Sequence, residues 1–125
     1  MLTPVLQVAL GGALGASARY LTGIAVLRAT GPGFPLAIIT VNVAGSFVMG
    51  LFAVLAAQKG LMHFAPFVMT GILGGFTTFS AFSLEAVTLL ERGLLGQAAA
   101  YVLLSVGASM GALFLGAMLA RGLWA

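Results

Sequence analysis

The chain has 125 residues, 62% of them hydrophobic and only 6% charged, with a formal net charge of +3 and a mean hydropathy of +1.20. Soluble domains carry about 25% charged residues, so five basic and two acidic side chains exclude a water-facing surface and leave lipid as the solvent. Cysteine is absent, which excludes a disulfide framework and thiolate metal sites. The basic residues stand singly, which argues against nucleic acid as a partner.

A membrane-spanning helix takes about 20 mostly apolar residues. The first predicted span covers 4–27 and carries Arg19. No basic region precedes it and further spans follow closely, so it does not read as a cleaved signal peptide. Ala29-Thr30-Gly31-Pro32-Gly33 is a turn by composition. The second span covers 34–57 without a charge, and Gln58-Lys59-Gly60 with Met62-His63-Phe64 makes the second connection. The third span covers 65–90 with Glu85 near its end; Glu91-Arg92-Gly93 follows, and the fourth span covers 94–120. No connection has room for a soluble domain. Residues 1–125 are therefore expected to form one transmembrane domain, an all-α membrane protein of four spans, in a bacterial-type inner membrane.

Span two contains Asn42 in the run Thr40-Val-Asn-Val-Ala-Gly-Ser46. Its amide donates two hydrogen bonds and serves either to join helices or to face a polar route. The densest pattern lies in span three, Gly71-Ile-Leu-Gly-Gly-Phe-Thr-Thr-Phe-Ser-Ala-Phe-Ser83. Gly74 and Gly75 are poor helix formers, and Thr77 and Thr78 are β-branched. Together they predict a break at the centre of the helix. In lipid a break must be buried in protein or line water, and freed carbonyls are ready cation ligands. The alternative is a glycine kink tolerated at a packing contact. Beyond the break, helical spacing puts Phe79, Phe82, Ser83 and Ala86 on one broad face. A phenylalanine ring edge carries partial positive charge and can meet a small anion, although such rings also serve as lipid contacts or core. In span four, Tyr101, Ser105 and Ser109 recur every four residues as a ladder of hydroxyls, suited to interhelical bonds or to an anion.

Arg19 must pair, snorkel or face water, with Glu85 one possible partner. Glu91 and Arg92 read as a loop-facing pair and His63 as an interfacial residue. No carboxylate pair, metal-ligand cluster, phosphate loop or nucleophile–base set is present, which argues against an enzyme.

Lys59 and Arg121 fall on the side of the termini, Arg28 and Arg92 on the other. This near-balance sets orientation only weakly and permits an antiparallel dimer. Of the 18 glycines, Gly11 and Gly15, and Gly107 and Gly111, are pairs at the spacing that lets helix backbones approach. Ser105, Ser109, Ala112 and Gly116 form a second small-residue stripe. Four helices enclose little room, so any solute route is expected to be shared between subunits.

The segments Gly11-Gly-Ala-Leu-Gly-Ala-Ser-Ala-Arg-Tyr20, Thr40-Val-Asn-Val-Ala-Gly-Ser-Phe47 and Gly71 to Ser83 together resemble the Fluc, or CrcB-type, family of fluoride channels, over nearly the whole chain. The resemblance implies an antiparallel, dual-topology homodimer with two pores, each built from both subunits, through which fluoride leaves the cytoplasm passively. It implies that Asn42 lines the pore and that Phe79 and Phe82 face fluoride. Thr78, Ser80 and Ser83 would supply hydroxyl contacts, and Tyr101, Ser105 and Ser109 a polar track across from the rings. Arg19 matches a vestibule arginine. Gly74 and Thr77 would give backbone carbonyls to a structural sodium ion (Na+) at the dimer centre. A small multidrug-type exporter is the second reading, but it relies on a glutamate in its first span, and span one here has no acid. A non-transporting assembly subunit is the third. It accounts for the glycines but not for the aromatic and hydroxyl faces.

Overall fold

The structure is a computed structural model that describes residues 2–124. Helix α1 covers Leu2–Thr30 and α2 covers Leu36–Lys59. A 3₁₀ turn over Met62–Phe64 leads into the third span, which comes in pieces. A π-helical segment, Pro66–Leu73, is followed by a single α turn, α3, over Gly74–Phe76. Two extended residues then separate it from α4, Phe79–Glu91. Helix α5 covers Leu95–Trp124. Four stretches are long and apolar enough to cross a membrane, Thr3–Thr30, Leu36–Lys59, Pro66–Glu91 and Leu95–Gly122. The expected spans lie within a few residues of them.

The ends of the spans follow from local chemistry. Gly60 ends α2 at φ 70°, ψ 32°, and its N–H and that of Leu61 both return to the Ala56 carbonyl. Gly93, at φ 77°, ends α4 in a Schellman arrangement: its N–H returns to Leu90 O and that of Leu94 to Leu89 O. Only glycine takes the left-handed conformation there without steric cost.

Spans two and four form the central pair. Ile39 packs near Ala98 and Tyr101 at one end, and Gly50 lies against Leu113 at the other, so α2 and α5 run in the same direction. A Cβ at Gly50 would overlap the Leu113 carbonyl, and one at Gly116 that of Phe47. Backbone therefore meets backbone at this crossing, as small residues allow. Helix α1 packs on α2 and on the first half of the third span; among the described residues its backbone does not pack against that of α4 or α5. Gly11 and Gly15 make that contact, because a Cβ on either would overlap the backbone oxygen of Phe67 or Ile72. Helix α4 instead joins a cluster with α2 and α5 in which Ile39, Phe82, Ala86, Leu89, Ala98 and Tyr101 are buried. The break thus transfers the third span from one neighbour, α1, to another, α5.

The break falls where expected, near the span's middle, and is confined to two of the four residues suggested, Thr77 and Thr78. Gly74 is helical at φ −64°, ψ −36°, and Gly75 lies inside α3. The chain opens at Thr77 (φ −87°, ψ 158°) and Thr78 (φ −152°, ψ 126°). Gly75 works as a packing residue: a Cβ there would sit 2.8 Å from the Gly12 carbonyl on α1. The π-helical winding of Pro66–Leu73 is not foreshadowed by any residue pattern in the span.

Candidate functional site

The site grows from the break. Thr77 turns back onto the helix it leaves; its N–H and its hydroxyl donate to the Leu73 carbonyl at 3.0 and 2.8 Å. Thr78 starts the helix that follows, its Oγ1 accepting from the Ala81 N–H at 3.1 Å, as an N-cap does. The backbone of Thr78 is then without helical partners, and Asn42 supplies both. Its Oδ1 accepts from the Thr78 N–H at 2.8 Å, and its Nδ2 donates to the Thr78 carbonyl at 3.0 Å. Asn42 thus joins two spans, and it lines an open cleft with a second Nδ2 hydrogen left over. Gly45 makes room for the Thr77 methyl, which a Cβ would strike.

Beside the break lies a cleft of about 360 Å³. Its α2 wall is Asn42, Gly45, Ser46 and Met49; its break wall is Thr77, Thr78, Phe79 and Phe82; its α5 wall is Ser105, Val106, Ser109, Met110 and Leu113. The Oγ atoms of Ser105 and Ser109 are buried and have no hydrogen-bond partner among the described residues. A buried hydroxyl left unpaired costs about 1–3 kcal/mol, and these two lie on one face of α5 at the cleft wall. Phe79 and Phe82 have ring centroids 5.5 Å apart at 48°. Phe82 is buried, whereas Phe79 is 78% exposed and hangs over the cleft. Met49, Met110 and Leu113 make the apolar end, next to the α2–α5 crossing.

The structure does not gather every predicted residue into this cleft. Tyr101 is fully buried and stacks on Phe82 (5.4 Å, 23°). Its hydroxyl donates to Glu85 Oε2 at 2.6 Å, so the ladder of Tyr101, Ser105 and Ser109 parts after its first rung. Phe34 meets Tyr101 edge-on at 5.8 Å. Beyond this stack lies a second hollow of about 300 Å³, lined by Phe34, Glu85 and the first connection around Gly31 and Gly33. Glu85 is therefore the partner of Tyr101, not of Arg19, whose Nε donates to the Gly75 carbonyl at 3.0 Å. Ser80 is exposed, 3.3 Å from the Thr78 hydroxyl, and Ser83 is half-buried; neither lines the cleft. Ser46 lines it and was missed, although its position four residues after Asn42 puts both on one face of α2.

Gly74 and Thr77 bear on the cation that the resemblance implies. In an unbroken helix the Thr78 N–H would donate to Gly74 O; here it goes to Asn42. The Gly74 carbonyl is released, and Gly74 is exposed on the surface of the chain. Uncharged carbonyl oxygens suit a small hard cation, and the released Gly74 carbonyl is one such oxygen.

The chain matches the family model described as CrcB-like protein, Camphor Resistance (CrcB), over residues 6–117. It is 68% identical over 123 residues to a fluoride-specific ion channel FluC of Ruegeria sp., with 98% of each chain covered. It is 62% identical over 122 residues to the protein of that name from Cereibacter sphaeroides, again with 98% of each covered. The corresponding figure for Agrobacterium fabrum is 48% over 119 residues, covering 94% of this chain and 95% of the relative.

Proposed function

This chain belongs to the CrcB-like family, and we propose that it is a fluoride-selective channel through which cytoplasmic fluoride leaves passively down its electrochemical gradient. The protein is a multi-pass protein of the bacterial inner membrane and not an enzyme. Family membership sets aside the exporter and the assembly subunit.

One observation carries the reading: two buried, unpartnered hydroxyls, Ser105 and Ser109, share a cleft with the Phe82 ring and the Asn42 amide. Fluoride is strongly hydrated, so a pore must replace its water with donors. Hydroxyls, an amide N–H and phenylalanine edges do so without a full positive charge, which keeps binding weak enough for exit. Asn42 sits at one wall and the two serines at another; Phe79 and Phe82 offer ring edges, and Thr78 stands at the cleft wall beside them. Ser80 and Ser83 are proposed to contribute hydroxyls toward the mouth of the route, and Tyr101 to continue it toward the second hollow.

The working unit is proposed to be an antiparallel homodimer with two pores, each lined by both copies. The open side of α4 and the exposure of Phe79 support this, since a wall is needed there to exclude lipid. Gly74 and Thr77, contributed by both copies, would hold a sodium ion at the centre, which when bound would supply fixed positive charge between the pores. Outward flow serves the cell because external acid favours hydrogen fluoride, which crosses lipid and dissociates inside.

The test is fluoride efflux from liposomes carrying only the purified protein, with chloride as control. Rapid fluoride release with chloride retained is expected; release no faster than from protein-free vesicles defeats the proposal.

A further inference from the structure

The first half of the third span stops inside the membrane, and its last carbonyls lose the amides that would follow in a continuous helix. In such a helix the Phe79 N–H would reach Gly75 O, but the extended Thr77 and Thr78 separate the two. We infer that Arg19 is a positioning residue: its Nε–H caps the end of this half-helix at the Gly75 carbonyl and so fixes where the break falls relative to Asn42.

The bond is 3.0 Å long and partly buried. It joins a cation to a helix C-terminus, where the negative end of the helix dipole favours one. Span one brings Arg19 to this point by packing. Gly15 touches the Ile72 backbone, and Arg19 lies four residues further along the same helix face. The two ends of the break are thus held by two different spans. Helix α1 grips the carbonyl before it through Arg19, and α2 grips both backbone groups of Thr78 through Asn42. If Arg19 is removed, the end of the first half is free to fray or shift, and Thr77, Phe79 and the cleft wall move with it.

Three substitutions separate this role from that of a vestibule charge. The Gln Nε2 stands as many bonds from Cα as the Arg Nε, so R19Q keeps a donor in place without the charge. R19M puts a methyl there. R19K keeps the charge but has a methylene at that point. In liposome efflux, which rests on the channel reading, R19Q is expected to stay within a few-fold of the unmodified protein. R19M and R19K are expected to slow by roughly tenfold or more, the scale of a lost charge-assisted hydrogen bond. If R19K conducts normally while R19Q falls to the level of R19M, with the loss growing as ionic strength drops, Arg19 acts as a charge and the inference is wrong. Should R19M fail to assemble, R19Q against R19K makes the same decision. The carbonyl ¹³C shift of Gly75 in labelled protein in bilayers provides a readout that needs no flux. It should stay in place in R19Q and move in R19K and R19M. An unmoved shift in all three overturns the cap, even if the unmodified protein conducts no fluoride and the channel reading itself has failed.

Discussion

Asn42 offers Thr78 one acceptor and one donor, the pair that a continuing helix would have supplied. Substituting Asp keeps the acceptor and loses the donor, so a carboxylate faces the Thr78 carbonyl and a negative charge enters the proposed anion route. Asn42→Asp is expected to lower stability by about 1–3 kcal/mol for the carbonyl left unpaired and to reduce fluoride efflux by at least roughly tenfold through like-charge repulsion. Ser109→Ala should behave differently. The hydroxyl it removes has no partner among the described residues, so melting should be unchanged or higher by up to about 1 kcal/mol, while efflux slows. Thermal melts and efflux on the same samples check both; a Ser109→Ala protein that melts lower at full flux would make the serine a structural residue. The sequence alone left both meanings of Asn42 open. A side chain's role depends on which distant backbone lies within about 3 Å of it, and spacing along one helix does not contain that distance.

Among the elements, α1 and the third span show how much of a contact can be read in advance. The Gly11 and Gly15 spacing marked a close approach, and the helices do meet there. Gly107 and Gly111 carry the same spacing, yet no neighbour among the described residues comes within 4 Å of where their Cβ atoms would be. Gly15→Ala is therefore expected to destabilise by about 1–3 kcal/mol through overpacking against a carbonyl that cannot move aside cheaply. Gly107→Ala should leave the fold of the single chain intact. Thermal denaturation of the two variants separates them, and a harmless Gly15→Ala would mean that α1 stands further off. The interruption itself was legible from the cluster of glycines and threonines. Its exact site was not, because Gly75 is held helical by its contact with α1 while Thr77 and Thr78 find outside partners in the Leu73 carbonyl and Asn42.

For the whole molecule, the four spans do not close on themselves. Among the described residues the backbone of α1 does not pack against α4 or α5, and a ring as large as Phe79 is left mostly uncovered, which is what a second copy would cover. The near-equal basic residues at the two faces leave orientation weakly biased. The chain has no cysteine, so Gln58→Cys creates a single label site at the exposed end of α2. In intact cells an impermeant thiol reagent is expected to modify about half of the protein, as two opposite insertions require. Complete labelling, or none, would rule out the antiparallel pair.

Residence in the membrane, the number of spans and the existence of an interruption were determined by sequence alone, because each follows from the composition of a contiguous stretch in lipid. The tertiary structure alone decided that Thr77 and Thr78 are the residues that open, that Arg19 holds Gly75, and that Tyr101 turns from the serine ladder to Glu85. Each of these depends on which polar atoms from separate spans are brought within hydrogen-bonding distance, where water is absent and every backbone group must find its partner in protein.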